Sequence, residues 1–122
     1  MKTHKDLEVW KESIDFVTEL YKVTNEFPKT EQYGLTSQIR RAAISVPSNI
    51  SEGFARKGIK EKIRFLYIAL GSNTEVETQL IIAKNLNFVN QEPFESLETK
   101  NKNLGKRLIN LIRYFEKKNK SQ

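Results

Sequence analysis

Cysteine is absent from this 122-residue chain, and with it go disulfides, thiolate metal ligands and a cysteine nucleophile. Histidine occurs once, as His4 in the terminal segment. A Ser/His/Asp triad needs an imidazole held between nucleophile and carboxylate, and one terminal histidine does not supply it. Five glycines and three prolines leave little chain for long connections. Strict apolar/polar alternation, the pattern of a half-buried strand, is scarce as well. The longest apolar run, Phe65 to Leu70, has six residues, against the ~20 that span a bilayer. The N-terminal MKTHKDLEVW lacks the apolar stretch of a signal peptide. The absences together predict an all-α, cytoplasmic protein, one domain over residues 1–122, with no membrane partner.

Four helices account for the apolar residues that are present. The first is expected over about 6–26, with Leu7, Trp10, Ile14, Val17, Tyr21 and Thr24 toward the core and Asp6 near its start. Phe27 and Pro28 end it, and Thr36 is the expected cap of a second helix over 35–55. The glycines of Gly53 to Gly58 precede a third, over 59–87, read as the most buried of the four. Glu92 and Pro93 open a fourth, over 92–117, whose seam of Phe94, Leu97, Asn101, Leu104, Leu108, Leu111 and Phe115 steps by three and four. Short connections make neighbours antiparallel, so the expected architecture is an up-down-up-down four-helix bundle.

The second helix is the most distinctive stretch. In RRAAISVPSNISEGFAR, residues Ile39, Ala42, Ala43, Val46 and Ile50 keep one helical face, yet Pro47 sits in mid-helix. Proline there removes a donor and crowds the carbonyl four residues back, at ~3 kcal/mol. Ser45, Ser48, Asn49 and Ser51 are short and polar enough to satisfy the freed carbonyl or to admit a second backbone closely. The third helix raises a different question, because Phe65 to Leu70 is apolar all round. One core does not need that, so Phe65, Tyr67, Ile68 and Gly71 are expected to meet another subunit, with close helix contact at Gly71.

Charge alternates along the chain. Residues 1–39 carry 5 basic and 7 acidic groups, 40–64 carry 7 and 2, 65–99 carry 1 and 5, and 100–122 carry 8 and 1. Glu8, Glu12, Asp15 and Glu19 stack on one side of the first helix, where a solvated or partner-facing stripe fits better than a metal or acid/base site. Glu77 is placed to pair with Arg40 or Arg41 across two helices. GFARKG lacks the spacing of a phosphate-binding loop. No constellation for catalysis, metal or cofactor emerges, and the expected function is non-enzymatic. The cations Arg40, Arg41, Arg56, Lys57, Lys60, Lys62 and Arg64, with Lys106, Arg113 and Lys117 on the fourth helix, are the candidate contacts to nucleic acid, RNA above all. Phe65 and Tyr67 read as core or interface and leave no stacking platform, so recognition would be of backbone and shape. The alternative is a protein-binding scaffold that uses the acidic and basic stripes.

The run RRAAISVPSNISEGFAR, followed by IRFLYIALGSNTEVETQL at 63–80, resembles the four-helix-bundle family of 23S rRNA intervening-sequence proteins. Members are similar to the accessory protein of diversity-generating retroelements. That kinship implies a ring-shaped homo-pentamer of basic bundles that contacts nucleic acid and a reverse transcriptase. Two positions depart from the pattern: Gly58 stands where a Ser or Thr cap is common, and Asn73 where an apolar residue is common.

Overall fold

A computed structural model of the chain describes residues 7–121. It contains helices α1 (Glu8–Thr24), α2 (Leu35–Ala55), α3 (Ile59–Asn85) and α4 (Gln91–Lys120), with a 3-10 turn at Lys29–Glu31. No strand occurs among the described residues. His4 and the expected start at Asp6 lie outside them. The first helix ends at Thr24, and α4 runs three residues past its expected end.

Cross-helix contacts establish the topology. Trp10 meets Ser51 and Thr24 meets Arg40, so α1 and α2 run in opposite directions. Ser45 meets Ser72 while Gly53 lies against Phe65, which makes α2 and α3 antiparallel. Tyr67 with Glu116 and Asn73 with Asn101 do the same for α3 and α4. Glu12 with Arg107 and Ser96 with Glu19 close α4 back onto α1. Helices on the diagonal are further apart and meet through side chains, as where the Phe54 ring of α2 packs edge-on against Phe115 of α4, centroids 5.7 Å apart. The result is an all-α bundle of four helices around one core that includes Leu20, Ile39, Ile50, Leu66, Leu80, Leu97 and Leu108.

The apolar faces expected of α2 and α4 are the buried ones: Ile39, Ala42, Ala43, Val46 and Ile50 on α2, and Leu97, Asn101, Leu104, Leu108 and Phe115 on α4. The face expected of α1 is buried in part, with Leu7 and Thr24 buried and Trp10 and Val17 packed half-buried against the core. Val9, Ser13, Phe16, Leu20 and Thr24 point inward, and Ile14 and Tyr21 are exposed. Ser13 is buried without cost because its hydroxyl donates to its own helix, to Trp10 O at 2.7 Å. The most buried helix is α2, with eight of 21 residues buried against seven of 27 in α3.

α2 continues through Pro47 without a break. The short polar residues around it serve neighbouring atoms rather than the freed Ala43 carbonyl. Asn49 Nδ2 donates to Ser45 O at 2.8 Å, Ser51 Oγ donates to Pro47 O at 3.0 Å, and Ser51 Oγ accepts from Trp10 Nε1 at 3.0 Å. Ser72 Oγ reaches Ser45 Oγ at 2.8 Å and ties α3 to the same stretch. Thr36 does not cap α2. Its N-cap is Gly34, and the Glu31 carboxylate accepts from Leu35 N–H at 3.1 Å, a negative group at the positive end of the helix dipole. Gly58 precedes α3 with no side-chain cap.

α3 ends in a Schellman turn. Asn87 adopts φ 62°, Phe88 N–H reaches Ala83 O at 2.9 Å, and Asn87 N–H reaches Lys84 O at 3.0 Å. Phe88 folds onto a small second core of Phe27, Ala83 and Val89. Asn73 is 6% exposed and forms a reciprocal pair with Asn101. Asn73 Nδ2 donates to Asn101 O and Oδ1, both at 2.9 Å, and Asn101 Nδ2 donates back to Asn73 O at 3.0 Å. Gly105 leaves room for the pair, since a Cβ there would lie 2.7 Å from Asn73 Oδ1.

Candidate nucleic-acid interface

The antiparallel path folds the alternating charge of the sequence into a bundle with unlike ends. The α2–α3 connection and the end of α4 come together. Five cations stand there against two carboxylates over residues 52–67 and four against one over 110–120, and the start of α1 at the same end adds Glu8, Lys11 and Glu12. At the opposite end, residues 20–41 and 77–98 hold five cations and six carboxylates.

Seven of the ten candidate cations share the first end: Arg56, Lys57, Lys60, Lys62, Arg64, Arg113 and Lys117. Lys57, Lys60, Arg113 and Lys117 are exposed, and none is in an ion pair. Arg56 lies 3.8 Å from Glu52 Oε1 and Arg64 lies 3.4 Å from Glu61 Oε2. Both guanidinium groups also stand over the half-buried Phe65 ring, at 5.0 and 5.1 Å. Exposed pairs within one helix contribute little and leave such cations available to a stronger anion.

Lys62 has other work. Its Nζ donates to Phe54 O at 3.3 Å and to Arg56 O, satisfying carbonyls at the end of α2. Lys106 is exposed on the outer face of α4, in an arc of about 60° with Lys102, Arg113, Lys117 and Lys120. Arg40 and Arg41 sit about 24 Å from Arg56 along α2. Arg40 does not pair with Glu77. It caps the end of α1 instead, with Nε on Thr24 Oγ1 at 2.8 Å and Nη2 on Tyr21 O and Asn25 Oδ1, its guanidinium 4.2 Å from the Tyr21 ring. Arg41 is exposed, and no ion pair joins it to Glu77.

The carboxylate stripe of α1 faces α4. Glu12 Oε1 meets Arg107 Nε at 2.7 Å, as an ion pair rather than an aligned hydrogen bond. Glu19 binds Lys100 and accepts from Ser96 Oγ at 2.9 Å. Lys100 and Arg107, which sequence reasoning did not single out, therefore neutralise carboxylates within the bundle. Among the described residues no cluster of His, Asp and Glu is arranged to hold a metal ion, and no helix is long and apolar enough to cross a membrane.

The residues expected at a subunit interface lie on the outside of the chain. Tyr67 is 50% exposed and Ile68 40%. Gly71 has nothing within 4 Å of where a Cβ would be, so no helix of this bundle approaches it closely. Tyr67 Oη donates to Glu116 Oε2 at 3.0 Å, and the carboxylate, by accepting this bond and repelling a phenolate, raises the Tyr67 pKa above 10.0. A second apolar surface was missed: Trp10, Ile14, Val17 and Ile44 line a groove between α1 and α2, with the hydroxyls of Thr18, Ser48 and Ser51 along it. Two neighbouring apolar stripes on α1 were the signal that could have found it.

The chain is thus an all-α four-helix bundle with one cationic end and exposed apolar side chains on its flanks. More particularly, the chain belongs to the 23S rRNA-intervening sequence protein family, whose model matches residues 5–110. Its fold is similar to that of a protein of unknown function from the S23 ribosomal protein family of Bacteroides thetaiotaomicron. The TM-score is 0.77 at 25% identity, over 85% of this chain and 97% of that one. No curated protein matches the chain.

Proposed function

We propose that the protein is a non-enzymatic, oligomeric helical bundle that binds structured RNA, or another nucleic acid, through its cationic end. The observation that carries this reading is the convergence of two distant cation clusters, 52–67 and 110–120, on one end, with Lys57, Lys60, Arg113 and Lys117 unpaired. A polyanion gains affinity from such a surface through counterion release, with no need for a groove-reading element. The family's name, which refers to 23S rRNA, agrees with RNA as the ligand class.

Self-association has separate support. Tyr67 and Ile68 on α3, and the groove of Trp10, Ile14, Val17 and Ile44, are unlike surfaces on different flanks. Unlike surfaces favour head-to-tail contacts, which close into rings, and the pentamer implied by the family likeness is one such ring. Repetition would turn weak phosphate contacts into avidity. A nucleic-acid enzyme such as a reverse transcriptase is the protein partner this reading anticipates, in the cytoplasm.

The test is a titration of purified protein into labelled structured RNA, single-stranded RNA and duplex DNA at several salt concentrations. A variant with Lys57, Lys60 and Lys117 changed to Glu runs alongside, since none of the three supports the fold by an ion pair. Expected are a steep salt dependence and, in the variant, weaker binding with a salt slope shallower by about one unit for each phosphate no longer neutralised. Absence of binding even at low salt would refute the reading. It would leave a protein-binding scaffold, which the exposed apolar flanks favour and which would purify without salt-removable absorbance at 260 nm.

A further inference from the structure

The turn from α1 to α2, at the end remote from the cation cluster, forms an open pocket lined by Thr24, Asn25, Lys29, Gln32, Thr36 and Arg40, with Phe27 and Pro28 as its apolar wall. Thr36 is 7% exposed, and its hydroxyl oxygen is buried with no hydrogen-bond partner. Buried polar atoms without partners are costly and rare in native proteins, and each calls for an explanation.

Several donors of this turn are unused. Arg40 uses Nε and Nη2 on Thr24, Tyr21 and Asn25 and leaves Nη1 without a protein partner. Those bonds also hold the guanidinium still. Lys29 makes no ion pair. In the first turn of α2 only Leu35 N–H has an acceptor, and the amides of Thr36 and Ser37 have none. First-turn amides point back along the helix axis, toward this turn, and favour negative charge. Two groups oppose an anion there: the Tyr21 carbonyl at the end of α1, which Arg40 covers, and the Glu31 carboxylate, whose Oε1 accepts from Leu35 N–H and whose charge Lys29 and Arg40 must outweigh.

We propose that this pocket binds a phosphate-sized oxyanion, with the Thr36 hydroxyl, Arg40 Nη1 and Lys29 as side-chain donors at the N-terminal end of α2. The ligand is either free phosphate or the terminal phosphate of a nucleic-acid strand. The site stands apart from the cationic end, so either can fail without the other.

The experiment follows thermal unfolding and calorimetric titration with inorganic phosphate against chloride at matched ionic strength. It compares the native protein, Thr36→Val, and the Lys57/Lys60/Lys117→Glu variant. Valine keeps the shape and removes the orphan hydroxyl. Thr36→Val is therefore expected to melt higher than the native protein in chloride, yet to bind phosphate about tenfold more weakly, the loss of one hydrogen bond to a charged group. The triple variant should keep its phosphate response. A response that Thr36→Val retains and the triple variant loses would assign phosphate to the cationic end and overturn the pocket. No response to phosphate in the native protein would overturn it too. A preference for 5′-phosphorylated over unphosphorylated oligonucleotide that vanishes in Thr36→Val identifies a strand terminus as the source. Phosphate binding without that preference identifies the free ion.

Discussion

Replacing Gly105 by Ala should destabilise the protein, although alanine is the better helix former. In a helix interior alanine gains about 1 kcal/mol over glycine. Here the new Cβ would lie 2.7 Å from Asn73 Oδ1, so the Asn73 amide must move. That amide is 6% exposed and bonds both Asn101 oxygens at 2.9 Å. Each broken bond costs about 1 kcal/mol, and a buried amide left unmatched costs about 1–3 kcal/mol more. With both bonds lost and alanine's gain subtracted, the expected net loss is about 2–4 kcal/mol. In an Asn73→Ala background the obstruction is gone, and Gly105→Ala should stabilise by about 1 kcal/mol. Urea unfolding of the four proteins, followed by far-UV circular dichroism at one fixed protein concentration, gives the cycle. A reversal of sign between the two backgrounds is the signature. The same sign in both, or a coupling below about 0.5 kcal/mol, would refute the steric argument.

Asn87→Gly should raise stability by about 0.5–1 kcal/mol and Asn87→Val should lower it by about 1–2 kcal/mol, because only the first suits φ 62°; unfolding midpoints decide. Arg40→Met should cost about 2 kcal/mol in the same assay, by uncapping α1. Tyr67 should ionise above the ordinary 10.0 in a spectrophotometric titration. A folded-state pKa raised above the unfolded one means that the contribution to stability is complete below about pH 10 and is lost as pH rises through the folded pKa. Tyr67→Phe should remove that late titration step and leave the other tyrosines unmoved.

The helices with one clean apolar stripe, α2 and α4, could be read directly from spacing. α1 could be read only in part, because it carries two neighbouring stripes, and Ile14 and Tyr21 of the expected one are exposed while Trp10 packs at the edge of the core. The inner stripe is interrupted by Ser13, which looks polar in sequence and becomes buried through a bond within its own turn. Asn73 was read as a departure at a usually apolar position, and Asn101 as one polar step in a seam. That they answer each other is a fact of the α3–α4 register, which no single helix contains. Among the candidate cations, spacing identified the cluster near the α2–α3 connection. It could not distinguish Lys57, which is free, from Lys62, which closes the end of α2, since both are lysines beside the same glycine-bounded turn. The meeting of that cluster with the end of α4 follows from topology alone.

Unlike ends on a rod give it a longitudinal electric moment. α4, at 30 residues, sets the rod's length at about 45 Å, several times the ~10 Å screening distance at 0.1 M salt. A polyanion therefore exerts a torque on the molecule as well as a pull, and turns it end-on before contact. In an assembly the symmetry axis decides what becomes of this moment. Copies arranged around an axis parallel to their helices add their moments into one charged face, whereas a two-fold axis across the helices would cancel them.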